Sequence, residues 1–519
     1  MKTAVYDRFW PSQGGGERYA GMMAVGLARQ GHEVDLLSTV DVDIDALASH
    51  LSLDLTGVKV RVVPDPEESK IARATAEYDL VVNSTYMSSM VPRSARSALV
   101  CFFPTPLDHE LSDTRRRLAR SIGARMHNPS QIHGFGYGTG WYPPEGGLRT
   151  KWSWSRGDAL LELPHGGREL MALTLGRPGA QGPAKVRILD QDGTQVLRTS
   201  VSQNFRRLEI QVPARDSART LRLVSDTFSP PGDDRELGVA MLRGNLRSRF
   251  ASPGRLLRAF PWLALGKQNL DHLQKYDSIV SISHYTQSWI SRLWDADSDL
   301  LFPPIDVEKM RPSVERDHTI VAIGRFFDPS RGHSKRQLEM VDIFAELVNG
   351  RHLPPGWTLH LIGGCEVENR PYFEKVMAAS EGLPIVLHPN ASRKKLESLV
   401  NRASIVWSAT GMKEDTERKP WRNEHFGMTT AEAMAAGCVP VVIDRAGQQE
   451  IVREGIDGFR WETKAQAVEL TARVARDAEL RARMSISSIL RARDFSDAAF
   501  EARWAEICEE RHLLDGGRG

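Results

Sequence analysis

The sequence predicts an α/β fold: two parallel sheets in series, with an all-β domain set into the first. Three observations predict it. Short apolar strands alternate with helical patterns at the start of the chain, the repeat drops to two after about residue 129, and the α/β rhythm returns after about residue 247.

At 519 residues the chain exceeds one ordinary domain, and three are expected. Hydrophobic residues at 41% and charged residues at 26% describe a folded globular protein rather than a disordered one. The net charge of +2 excludes a dominating nucleic-acid footprint, and no nucleic-acid partner is expected. The four cysteines, Cys101, Cys365, Cys438 and Cys508, form no CxxC pair, as unpaired thiols in a reducing compartment would. "MKTAVYDRFW" runs straight into a strand pattern, and no apolar run approaches the ~18 residues that span a membrane. The reading is cytoplasmic.

In the first region "KTAVYD" reads as a buried strand, "QGGGERYAGMMAVGLARQGH" as a glycine loop entering a helix, and "EVDLLST" as the next strand. "YDLVVNST" and "ALVCFFP" continue a parallel sheet. After the punctuation of "GFGYGTGWYPPEGG" come segments of period two. In "RLEIQV", Leu208, Ile210 and Val212 share one face, and Asp192-Gly193 marks a hairpin turn. About seven such strands argue a β-sandwich. From about residue 247 strand and helix alternate again, so the sandwich interrupts the first sheet. A second α/β series follows, from "HTIVAIGRFF" to "QQEIVREG", and the tail is helical. Two such sheets in series suggest a ligand cleft at the carboxyl ends of their strands.

Candidate chemistry gathers at those ends. Gly324 and Arg325 close a strand, and Lys335 follows near a helix start. Two cations there suit a diphosphate, although a strand-end arginine also fits a solvated surface. In "NEHFGMTTAEAMAAGCVPVV" the N–H groups of Phe426, Gly427, Met428 and Thr429 lie at a helix start, a ready site for anionic oxygen. Glu424 precedes that loop and can accept sugar hydroxyls. Glu432 inside the helix can take both hydroxyls of a ribose. Thr429-x-x-Glu432 equally fits a capping box.

"EHFGMTTAE" followed by "AMAAGCVPVV", with "QGGGERYAGMMAVGLARQGHEV", "AIGRFF…HSKRQLEMV" and "AGQQEIVREGIDGF", resembles the retaining nucleotide-sugar glycosyltransferases of the GT-B fold, family 4 (glycosyl transferases group 1). The resemblance covers roughly 1–128 and 250–510. It implies two Rossmann-like domains facing a cleft. The expected boundaries are 1–128 with 247–315 for the acceptor-side domain, 129–246 for the inserted sandwich, 316–495 for the donor domain, and 496–519 for a helix crossing back to the first domain, and tail.

The resemblance also implies roles. Glu424 would touch the donor hexose and Glu432 the ribose. Arg325 and Lys335 would hold the diphosphate, while Gly14, Gly15 and Gly16 let backbone approach the donor. The base would lie near "HPN", which ends at Asn390. Neither a cofactor nor a metal is expected, and Asp41-Val42-Asp43 reads as surface. The donor would be a nucleoside-diphosphate sugar, either GDP-mannose, since the EHFG loop resembles mannosyltransferases that build lipid-linked oligosaccharides, or a UDP-sugar. The acceptor is a glycan or lipid-linked glycan of cell-surface polysaccharide or glycoconjugate synthesis. One departure stands out: Phe102 occupies a place where many relatives carry histidine. Asp108 and His109 are candidate acceptor-side substitutes, or an exposed polar loop.

Trp141, Tyr142, Trp152 and Trp154 open the sandwich and suit either sugar stacking or core packing. Basic residues within 243–267 suit an anionic inner-membrane surface or a solvated face. The alternative to an enzyme is a glycan-binding protein on a disabled GT-B scaffold with a lectin-like sandwich. It would have no reason to keep Arg325, Lys335, Glu424 and Glu432 together.

Overall fold

The computed structural model describes residues 1–64, 67–109, 111–126, 136–146, 151–163, 169–213, 219–230, 233–242, 265 and 270–515. The chain divides into two compact units, one of residues 1–105 with 269–519 and one of residues 106–268.

The first unit holds two parallel sheets. The seven-stranded sheet runs in the order Asp299–Leu300, Ser278–Ser281, Arg96–Cys101, Leu80–Asn83, Lys2–Tyr6, Glu33–Ser38, Lys59–Val62. Its strand Ser278–Ser281 pairs in parallel with Arg96–Cys101, so chain from both sides of the second unit completes one sheet. The six-stranded sheet runs Ile385–Pro389, Thr358–Gly363, Asp317–Ile323, Ala403–Ser408, Val439–Ile443, Phe459–Trp461. Its strands Ala403–Ser408 and Val439–Ile443 are almost wholly buried, as sheets covered on both faces require.

The terminal helix Asp497–Glu510 packs on the glycine-loop helix Gly15–Arg29. Phe500 meets Tyr19 edge to face, with ring centroids 5.0 Å apart. Arg18 grips Asp497 at 2.6 Å, and Arg511 grips Asp299 at 2.7 Å. The tail thus returns to the first sheet and ties the two lobes of this unit.

The second unit carries two five-stranded sheets whose pairings are antiparallel. Facing side chains from both, among them Leu161, Leu173, Val186, Ile210 and Leu223, form one core. Leu208, Ile210 and Val212 are buried on one side of their strand, as period two requires. The turn at Asp192-Gly193 joins Ala184–Asp190 to Gln195–Val201. Gly193 sits at φ +79°, and Asp190 accepts from the N–H groups of Asp192 and Thr194.

This unit begins at Pro106 and ends at Gln268, earlier and later than the expected limits of 129 and 246. Local charge explains the earlier start. Helix Asp113–Met126 folds against the 106–111 turn through Asp108, whose buried carboxylate takes Arg120 at 2.7 Å and Arg116 at 3.7 Å. Trp154 is buried, and Trp152 and Tyr142 pack around it. The Trp141 indole donates to Leu160 O and joins the sandwich core. The basic stretch 243–267 lies, apart from Leu265, outside the described residues.

Candidate nucleotide-sugar site

The site is assembled where strands of the six-stranded sheet end. Strand Asp317–Ile323 delivers Gly324 and Arg325, and a side chain at Gly324 would collide with Lys335. With no Cβ in the way, the Lys335 stem crosses the strand end and its ammonium pairs with the Glu424 carboxylate. Thr410, just past strand Ala403–Ser408, donates its hydroxyl to Glu424 at 3.1 Å. Burial would raise the Glu424 carboxyl, but Lys335, with His333 and His425 beside it, outweighs burial and holds it at about 2. A cavity of about 10 Å³, room for one water, lies among Ile323, Gly324, Lys335, Thr410, Glu424 and Thr429. The Arg325 side chain is exposed and has no hydrogen-bond or ion-pair partner among the described residues. It is an uncommitted cation beside a committed one.

The helix after Glu424 runs Met428–Ala435, capped by Gly427 at φ +117° without a side-chain hydrogen bond. Thr429 is therefore the second helical residue and Glu432 the fifth, so the capping-box reading fails. The Glu432 carboxylate is half-buried with no hydrogen-bond partner among the described residues, and burial raises its pKa against the pull of Arg393 and Arg18. The N–H groups of Gly427, Met428 and Thr429 have no acceptor among the described residues; Thr430 and Ala431 bond back to Gly427 O. Phe426 contributes packing, wedged between Phe302 and Phe495 with centroids at 5.6 Å and 5.2 Å.

From the other lobe comes the glycine loop. Gly14 caps the helix Gly15–Arg29, and its N–H is taken by Glu17 at 2.5 Å. A Cβ on Gly15 would lie 2.9 Å from Met428 Sδ, and one on Gly16 would lie 3.5 Å from Phe102. Two helix starts thus face one region, and both favour anionic oxygen there.

The Asn390 side chain has a structural role in the region where the base is expected. Its Oδ1 accepts from Cys365 N at 2.8 Å and its Nδ2 donates to Cys365 O at 3.2 Å. The amide staples the loops after two neighbouring strands, so it positions the expected base region instead of reaching into it. Asp108 lies in the second unit with its carboxylate held by two arginines, and His109 Nδ1 lies 2.9 Å from Pro106 O. Asp43 of the DxD triplet caps the helix Ile44–Leu51.

Two histidines escaped sequence reasoning. His333 and His425 stack with centroids 5.7 Å apart, and His425 stacks on Phe103 at 4.3 Å. Burial lowers His333 to about 4 and His425 to about 3, so both are neutral beside Glu424. Their signal was in the sequence, in "HSK" and "EHFG", beside residues already singled out.

Comparison with known proteins bears on the fold and on the domain that carries these residues. Solved structures share the fold over nearly the whole chain. Anabaena HepE in complex with UDP and glucose matches with a TM-score of 0.53 at 11% identity, covering 98% of this chain and 100% of its own. Sucrose-phosphate synthase from Thermosynechococcus elongatus matches with a TM-score of 0.52 at 11% identity, covering 99% and 100%. The fold is GT-B, two Rossmann-like domains. Residues 308–490 match the family model of glycosyl transferases group 1, and the chain carries a domain of that family. The GDP-Man:Man(3)GlcNAc(2)-PP-Dol alpha-1,2-mannosyltransferase of Mus musculus is 28% identical over 264 residues, 46% of this chain and 49% of that protein. The Homo sapiens protein of the same name is 28% identical over 258 residues, 45% and 48%. The chain spans about half the length of these curated relatives.

Proposed function

We propose that the protein is a retaining hexosyltransferase that moves a sugar from a nucleoside diphosphate to a glycan or lipid-linked glycan. One observation carries this reading. Glu424, ionised and held by Lys335, lines one small cavity with Gly324 and Thr429, where the strand that delivers the exposed Arg325 ends and the helix with open N–H groups begins. The group those features suit is a sugar attached to a diphosphate.

In this reading Glu424 accepts the hexose hydroxyls and Glu432 the ribose hydroxyls. Arg325, Lys335 and the helix N–H groups meet the charge that grows on the leaving diphosphate, so the step needs no metal. The acceptor hydroxyl attacks the anomeric carbon on the face the diphosphate leaves. That C–O bond breaks as the new one forms, and the departing phosphate oxygen takes the acceptor proton. The mannosyltransferase relatives favour GDP-mannose as donor and a lipid-linked glycan as acceptor. In this reading the reaction runs in the cytoplasm, where a lipid-linked acceptor would bring the enzyme to the cytoplasmic membrane face.

A thermal-shift screen against GDP, UDP, ADP and their sugars tests the reading. A ligand at ~100 times its dissociation constant adds about 2.7 kcal/mol of stability. One base should shift the melting temperature, and Arg325→Ala should lose that shift. Absence of any shift would favour the glycan-binding alternative.

A further inference from the structure

We propose that Tyr285 is a positioning residue for Glu424, the keystone of a hydrogen-bonded ring that passes through both lobes of the first unit. The ring starts at Asn423, which is wholly buried and immediately precedes Glu424. Its amide donates to the Tyr285 hydroxyl at 3.3 Å and to Pro420 O at 3.2 Å. The Tyr285 hydroxyl in turn donates to Pro420 O at 2.9 Å. Tyr285 belongs to the helix His284–Trp294, which follows strand Ser278–Ser281 of the seven-stranded sheet. Asn423 and Pro420 belong to the other lobe.

The same helix is gripped a second time. The N–H groups of His284 and Tyr285 donate to the two carboxylate oxygens of Glu450, at 2.8 Å and 2.7 Å. Glu450 sits in the helix Gln448–Ile451 of the second lobe. Gly447, the cap of that helix, donates its N–H to Glu424 O at 2.9 Å and closes the circuit. The chemistry suits each place. A helix start offers unpaired donors and a positive end, and a carboxylate from another element satisfies both. Phe103 extends the contact by stacking on Tyr285 at 5.8 Å and on His425 at 4.3 Å, so the residues before and after Glu424 both touch the first lobe through aromatic rings.

Separating the lobes would strip partners from Asn423, Glu450 and two helix N–H groups at once. Segment 420–424 would lose the contacts that fix its path. The backbone that carries Glu424 is therefore fixed from both lobes, while Lys335 and Thr410 hold its carboxylate from its own lobe. Its catalytic consequence rests on the transferase reading above; its structural consequence does not.

The test uses the full chain with Tyr285→Phe, which keeps the ring and its stacking but removes the hydroxyl. Amide hydrogen exchange without substrate should speed up about 10-fold or more across 420–426, with strand Asp317–Ile323 unchanged. Glu450→Ala should do the same, and Glu450→Gln, which keeps an acceptor, should fall between. In turnover, kcat should drop about 10-fold while the dissociation constant for GDP or UDP stays within about twofold. Unchanged exchange at 420–426 would overturn the proposal, as would nucleotide affinity falling in step with kcat. Should the unmodified protein bind no nucleoside diphosphate, the transferase reading fails and the exchange result alone decides the ring.

Discussion

Gly15 and Met428, the first residues of two helices on opposite lobes, meet so closely that a methyl group on Gly15 would lie 2.9 Å from Met428 Sδ. Each helix start carries a partial positive charge and unpaired donors, and glycine lets the two approach without displacing the Met428 thioether. Gly15→Val puts a branched side chain into that contact. We expect transfer to fall about 10-fold in kcat/KM, because the Met428 side chain must give way before the two helix starts can meet. Nucleotide affinity should suffer much less, since Arg325, Lys335 and Glu432 all sit on the other lobe. Steady-state kinetics alongside nucleotide titration separate the two effects; equal losses would show that the glycine loop is a binding element only.

The pair Lys335–Glu424 makes a prediction in pH. Burial pushes the Glu424 carboxyl up, and Lys335 together with His333 and His425 brings it down to about 2. With Lys335→Met the cancelling charge is gone and burial dominates, so the carboxyl titrates higher. The acid limb of the pH–rate profile should move to higher pH in that variant. Glu424→Gln, which cannot ionise, should lose transfer about 100-fold or more without such a limb. A limb that stays put when Lys335 is replaced would show that another group governs it.

How much of this was legible in the sequence depends on whether a feature is local. Buried strands such as "CVPVVID", the glycine loop, and Glu424 and Glu432 eight apart each announce themselves within about a dozen residues. The capping box was a local pattern that misled, because the cap is Gly427, at φ +117°, two residues before Thr429. The tie between the Asn390 side chain and Cys365 spans 25 residues and follows no period, so no local pattern announces it. Tyr285 and Asn423 are 138 apart, and His284 and Glu450 are 166 apart. Such pairs exist only once two sheets have folded and met.

His333 and His425 carry a stability prediction. Both pKa values are depressed in the folded chain, to about 4 and about 3, first by burial. The unfolded chain therefore takes up protons near pH 6.5 that the folded chain refuses. Both stabilise fully above pH 6.5, and that contribution is lost as pH falls towards 4 and then 3. The melting temperature should drop steeply across this window. A His333→Gln, His425→Gln double variant should show a shallower drop, whatever its stability at pH 8. An unaltered slope would mean that other groups carry the acid transition.

Arg18 and Asp497 yield the last prediction. The Arg18 guanidinium is buried and holds both Asp497 oxygens, at 2.6 Å and 2.7 Å, while also donating to Leu51 O at 2.7 Å. Asp497 opens the terminal helix, where a negative charge also suits the helix start. Asp497→Ala leaves a buried cation without its counter-charge, a change that costs about 3 kcal/mol in comparable pairs. Because this helix ties the lobes, the loss should appear as earlier denaturant unfolding together with faster exchange across 497–510. Replacing both residues, with Arg18→Met and Asp497→Leu, removes the stranded charge and should recover a good part of that stability. If the double variant is as unstable as Asp497→Ala, the cost comes from lost helix packing rather than from the buried guanidinium.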